Sequence, residues 1–152
     1  MMYNQRISAY DISFNELGNA GVSIIAEALF RTSHIVSLKL DMNNIMWEGA
    51  SYLSKALIVN NSLIDLSLSS GKSGANNRNR IMERGAYELS EALAVNKYLI
   101  ILNLTGNGLG NESLSYLLPA ITQSKTIVSL NLATNEITSG PLRQYVLKDR
   151  IR

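Results

Sequence analysis

Apolar and polar positions along this chain follow two alternating rhythms. Five stretches alternate as half-buried strands do: ISAYDISFNEL (7–17), IVSLKLDMNNI (35–45), LIDLSLSSG (63–71), LIILNLTGNGL (99–109) and IVSLNLATNEI (127–137). After each comes a helical rhythm. Val22, Ala50, Ala86 and Leu114 stand in equivalent places, as do Ile25, Leu53, Leu89 and Leu117. So do Ala28, Ala56, Ala92 and Ala120, followed by Leu29, Leu57, Leu93 and Ile121. Spaced i, i+3, i+6, i+7, they make one apolar face of a helix of about three turns. The pattern therefore predicts five strand–turn–helix units. Asn19, Asn111 and Ser139 are expected as N-caps, and Pro141 suits a first helical turn.

The units share one period. Tyr10, Leu38 and Leu66 are 28 apart, and so are Leu102 and Leu130. Leu66 and Leu102 are 36 apart, a surplus of eight. Four strands fit L-x-x-L-x-L-x-x-N-x-L throughout, while the third fails at Gly71, where asparagine belongs. Counted back from its helix, Asn79-Arg80-Ile81-Met82 aligns with Asn43-Asn44-Ile45-Met46. The surplus is thus an eight-residue insertion, GKSGANNR (71–78), and not a linker between domains. Its Gly, Ser and Asn content predicts a projecting loop. Such a loop is either a neutral expansion or a contact site.

Template, period and helix phase resemble the leucine-rich repeat family, and within it the ribonuclease-inhibitor-like subclass. The resemblance implies an α/β solenoid of about five βα units, with a curved parallel sheet on the concave side and helices on the convex side. One such unit cannot bury both its strand and its helix face, so stacking must complete the core. It also implies that Asn15, Asn43, Asn107 and Asn135 turn inward and bond the backbone of adjacent turns. The expected organisation is one leucine-rich repeat domain over 1–152, with units near 7–34, 35–62, 63–98, 99–126 and 127–152. No polar capping element precedes the first strand, so the domain is read as a piece of a longer array, or as one that self-associates through that edge.

Composition narrows the class. Apolar residues make up 46% and charged residues 17%, which argues against disorder. The chain has no cysteine, which excludes thiol chemistry and cysteine-bound metals. No apolar run reaches the length of a membrane span, and the expected setting is cytoplasmic. Net charge is +2, unevenly placed. Lys72, Arg78, Arg80 and Arg84 face only Glu83 between residues 72 and 84; Arg143, Lys148, Arg150 and Arg152 face only Asp149 between 143 and 152. Neither window has interleaved aromatics, which weighs against nucleic acid.

Candidate chemistry is sparse. His34 is the one histidine and has no evident base or nucleophile beside it. GNGLGNES (106–113) looks like a phosphate loop, but Asn107 and Leu109 are template positions. No catalytic, cofactor or metal site is expected. Outward strand positions are small and polar, and include Asp11, Lys39, Asp41, Asp65, Asn103 and Asn131; the three aspartates would form a mildly acidic strip. Trp47 opens the second helix, either packed on the rim or free to anchor a partner.

The leading functional expectation is a non-catalytic protein-interaction scaffold. Contact is expected at Lys72, Arg78, Arg80 and Arg84, at the polar sheet positions, and at Trp47. Two alternatives stand beside it. One is a regulator acting in trans on a GTPase, a role the resemblance admits because the subclass includes the Ran GTPase-activating proteins. No motif of theirs is present here, and the candidates for a loop arginine that stabilises phosphoryl-transfer charge are Arg78 and Arg80. The other is a structural segment of a large cytoskeletal or scaffold protein.

Overall fold

A computed structural model describes residues 6–71 and 76–138. Five three-residue strands, β1 (Ala9–Asp11), β2 (Ser37–Lys39), β3 (Asp65–Ser67), β4 (Ile101–Asn103) and β5 (Ser129–Asn131), form one sheet in sequence order. Every pairing is parallel, and the register follows the repeat: Tyr10, Leu38, Leu66, Leu102 and Leu130 lie side by side. Between the strands run α1 (Gly18–Arg31), α2 (Trp47–Val59), α3 (Met82–Val95) and α4 (Asn111–Gln123). This is the leucine-rich repeat solenoid expected from the pattern. The fifth helix, with Ser139, Pro141 and the basic residues after them, falls outside the described residues.

Three-residue strands and helices of three to four turns hold together through a shared core. Leu38, Leu40, Leu66, Leu68, Leu102 and Leu104 project from the sheet, and Val22, Leu53, Ala56, Leu89, Ala92 and Leu117 meet them from the helices, all fully buried. At roughly 25 cal/mol per Å² of apolar surface, such burial is the main stabilising term. The column of small residues at Ala50 and Ala86 lets neighbouring helices approach closely. Gly85 marks the tightest point: a Cβ there would run into Ile81 and sit 3.2 Å from Ala50 Cβ and 3.3 Å from Trp47 Cα.

Two ladders satisfy the backbone at the two edges of the sheet. On the strand-to-helix side, Asn43 Nδ2 donates to Ile12 O at 3.0 Å, Asn79 Nδ2 to Leu40 O at 3.0 Å, Asn107 Nδ2 to Leu68 O at 2.9 Å and Asn135 Nδ2 to Leu104 O at 2.9 Å. Asn79 thus takes the place the count from its helix assigns it. On the helix-to-strand side, Asn60 Nδ2 donates to Leu29 O at 2.9 Å and Asn96 Nδ2 to Leu57 O at 2.7 Å. Their Oδ1 atoms accept from Leu63 N and Leu99 N, each at 2.8 Å.

The N-cap expectation needs correction. Leu17 and Gly110 precede α1 and α4, and neither contributes a side-chain cap. Asn19 lies inside α1, and its Oδ1 accepts from Met46 N at 2.9 Å and Gly49 N at 3.2 Å. Asn111 likewise accepts from Thr138 N at 2.9 Å. Stacking thus sets the Asn19 oxygen against the first N–H groups of α2, and the Asn111 oxygen against the backbone of the fifth unit.

Candidate functional site: the strand-to-helix rim and the sheet face

The parallel register sorts the outward strand positions into rows. Asp11, Lys39, Ser67, Asn103 and Asn131 share one row, and Asp65 lies in the row with Ala9, Ser37, Ile101 and Ser129. Asp41 lies beyond both. The three aspartates therefore occupy different rows and form no strip, a correction that follows from their unequal offsets within the repeat.

Each of these aspartates is engaged. Asp41 Oδ1 accepts from Ser67 Oγ at 2.6 Å and Ser69 N at 2.8 Å. Asp65 accepts from Ser37 Oγ at 3.3 Å, and Asp11 lies 3.8 Å from the Lys39 ammonium. Hydrogen bonds from Ser13, hydroxyl first and then backbone N–H, hold the Asp11 carboxyl below its usual range, with Lys39 adding a smaller Coulombic pull. Asn103 donates to Ser67 Oγ at 3.1 Å and accepts from Thr105, while Asn131 Oδ1 accepts from Ala133 N at 3.0 Å. The face is a knitted polar surface, much of whose hydrogen-bonding capacity is spent within the sheet.

The rim where strands lead into helices is different. Trp47 opens α2, half-buried, and the Arg84 guanidinium of α3 lies over its ring, 3.3 Å from the centroid. Arg80 is exposed, and its backbone N–H donates to Ile45 O at 2.6 Å, forming a bridge beside Met46. Met46 and Met82 are 48% and 44% exposed, large apolar side chains left in water beside the two arginines. The structure thus joins Trp47, Arg80 and Arg84 in one patch and adds the two methionines, which the sequence reading overlooked. Their signal was present: Met46 and Met82 are equivalent positions in adjacent units.

Arg78 belongs to the scaffold beneath this rim. Its Nη2 donates to Gly106 O at 3.1 Å, tying the insertion's end to the next unit. Arg78 Nε and Asn107 Oδ1 are both buried without a partner. In regular units that oxygen would accept from the preceding turn, as Asn79 Oδ1 does from Asn43 N and Ile45 N. At this step the ladder keeps its donor rung, Asn107 Nδ2 to Leu68 O, and lacks its acceptor rung. Lys72 lies outside the described residues. His34 is half-buried in its turn with Nε2 unpartnered, and among the described residues no group of three or more His, Asp or Glu side chains could hold a metal ion.

A second edge lies at the helix-to-strand turns, where exposed Val36, Ile64 and Val128 stand in one column with half-buried Ile100. Among the described residues no helix is long and apolar enough to cross a membrane.

A family profile described as Leucine Rich repeat matches residues 95–118. No curated protein matches the chain in sequence. Among solved structures, the tropomodulin C-terminal domain of Caenorhabditis elegans superposes with a TM-score of 0.76 at 16% identity, covering 95% of this chain and 83% of that one. The structure titled Leiomodin-1 Actin-Binding Site 2 superposes equally, TM-score 0.76 at 15% identity, over 95% of this chain and 79% of the other. At these identities the likeness speaks to the fold.

Proposed function

We propose that this chain of leucine-rich repeats is a non-catalytic protein-interaction scaffold whose main contact surface is the strand-to-helix rim. The observation that carries the reading is the Arg84–Trp47 stack, set between exposed Met46, Met82 and Arg80. Tryptophan, methionine and arginine are the side chains enriched at binding surfaces, and a stacked arginine loses little further freedom on binding. The partner surface would be acidic with an apolar centre. Asp11, Lys39, Asp41, Asp65, Asn103 and Asn131 would serve as a secondary polar contact, since their geometry is already fixed. The test is affinity capture from the cells that make the protein, comparing wild type with R80E/R84E. One protein held by the wild type and lost with the double variant supports the reading; equal capture by both overturns it.

The likeness to an actin-binding site supports a finer version, in which the chain is part of a cytoskeletal array in the cytoplasm. Co-sedimentation with filamentous actin tests it, and absence from the pellet at saturating filament dismisses it. The four helices of 13 or 14 residues support the ribonuclease-inhibitor-like subclass. A GTPase regulator remains the weaker alternative: Arg78 is tied to Gly106, leaving Arg80 as the candidate finger. Self-association through the β1 edge, where Phe14 is 68% exposed, is checked by sedimentation equilibrium.

A further inference from the structure

The helix-to-strand turns carry a surface that the rim does not explain. Ile64 N donates to Val36 O at 2.8 Å, Ile100 N to Ile64 O at 2.8 Å and Val128 N to Ile100 O at 2.9 Å. These bonds fix a column of β-branched side chains along the edge of the sheet. Ile64 is 37% exposed, Val128 80% and the neighbouring Tyr98 47%, with Ile100 half-buried between them, so the column is partly open to water. Beside it runs a shallow groove of about 460 Å³, bordered by Ile64, Tyr98, Ile100, Lys97 and Lys125; a second, of about 310 Å³, adjoins it across the same two lysines.

Charge and spacing indicate what would lie there. Within residues 61–64, 94–101 and 122–129 the charged side chains are Lys97 and Lys125, and both are exposed. Neither forms an ion pair among the described residues. They occupy equivalent places in adjacent units, 28 apart, and so flank the column on one side. Neighbouring strands lie about 4.8 Å apart, so the apolar side chains recur at that interval. One turn of an α-helix advances about 5.4 Å, whereas alternate residues of an extended peptide advance about 6.7 Å. The helix matches the column better.

We infer that this edge docks an acidic amphipathic helix from a partner protein. Its apolar stripe lies along Ile64, Ile100 and Val128, against Tyr98, and its carboxylates pair with Lys97 and Lys125. The site is separate from the Trp47–Arg84 rim.

The probe is a fluorescein-labelled designed peptide with leucine at i, i+4, i+7 and i+11 and glutamate along the flank, titrated by anisotropy. A scrambled peptide of equal composition is the control. Saturable binding that raises peptide helicity is expected. K97E/K125E and V128D should each weaken it at least about tenfold, as loss of a steering pair or an anchor does, while R84E leaves it unchanged. Circular dichroism confirms that each variant is folded, which the exposure of these positions favours. No binding, equal binding of the scrambled peptide, binding without gain of helix, insensitivity to K97E/K125E, or sensitivity to R84E would each overturn the inference.

Discussion

Asn79 Oδ1 accepts a hydrogen bond from Asn43 N at 2.9 Å, across 36 residues of chain. The same oxygen accepts from Ile45 N at 3.0 Å, and the Asn79 amide donates to Leu40 O and Leu68 O at 3.0 Å each. One side chain therefore ties two consecutive units together at the point where the repeat is interrupted. Asn79→Ala would leave Asn43 N, Ile45 N and Leu40 O without that partner, while Leu68 O keeps the Asn107 amide, at about 1–3 kcal/mol for the first and less for each that relaxes. A total loss of about 3 kcal/mol or more in urea unfolding is expected; a loss below about 1 kcal/mol would show that the ladder is dispensable.

Deleting residues 71–78 should be tolerated. The deletion brings Asn79 to the template distance from Leu68 and shortens the connection, which lowers the cost of closing it. It also lets Asn107 Oδ1, now buried without a partner, accept from the preceding turn. Stability within about 1 kcal/mol of wild type, or above it, is expected from urea unfolding. Loss of cooperative unfolding would show instead that the insertion is part of the core.

Gly85→Ala places a methyl group against Ile81, Ala50 and the Trp47 backbone. Overpacking of this kind costs about 1–3 kcal/mol. The reduced stability should come with a changed Trp47 emission, since α3 must move away from α2. Unchanged stability would mean that the interface is looser than it looks.

The Arg84–Trp47 pair can be measured directly, because Trp47 is the single tryptophan. Arg84→Ala should expose the ring and shift its fluorescence to longer wavelength. A double-mutant cycle with Trp47→Ala should give a coupling of about 0.5–1 kcal/mol, the range for exposed cation–π pairs. A coupling of zero would remove the pre-set arginine from the account.

Tyr116 donates its hydroxyl to Glu112 Oε1 at 3.0 Å, one helical turn away. That bond, and then the carboxylate's charge, raises the phenol above its usual titration range. Deprotonation would break the bond and set two negative charges together, so the direction is upward. Glu112→Gln should lower the Tyr116 titration midpoint toward that of a free tyrosine, followed by NMR of labelled tyrosine Cζ. No change would mean that the bond does not persist in solution.

The architecture was legible because the repeat states the same instruction several times. A 28-residue period forces register, and register places Tyr10, Leu38, Leu66, Leu102 and Leu130 side by side. Even Asn79 could be assigned by counting. Relations between units were harder to see. Asn19 and Asn111 have the chemistry of N-caps, but stacking turns their oxygens to the backbone of the next unit. The second ladder had a signal, the column Thr32, Asn60, Asn96 and Ser124 after each helix, all small, polar and buried. The acidic strip failed because neighbouring strands do not guarantee a shared row. The Trp47–Arg84 stack joins residues of different template positions, so no column comparison finds it.

The central claim is that the strand-to-helix rim, more than the sheet face or the helix face, meets the partner. A photo-reactive amino acid placed in turn at Arg80, at Lys39 on the sheet and at Ile24 on the helices tests it in the cells that make the protein. All three positions are exposed, so each probe can report. The account predicts one dominant cross-linked protein from position 80, weaker cross-linking to the same protein from position 39 and little from position 24. Cross-linking to the same protein from position 39 or 24, with none from position 80, would contradict it.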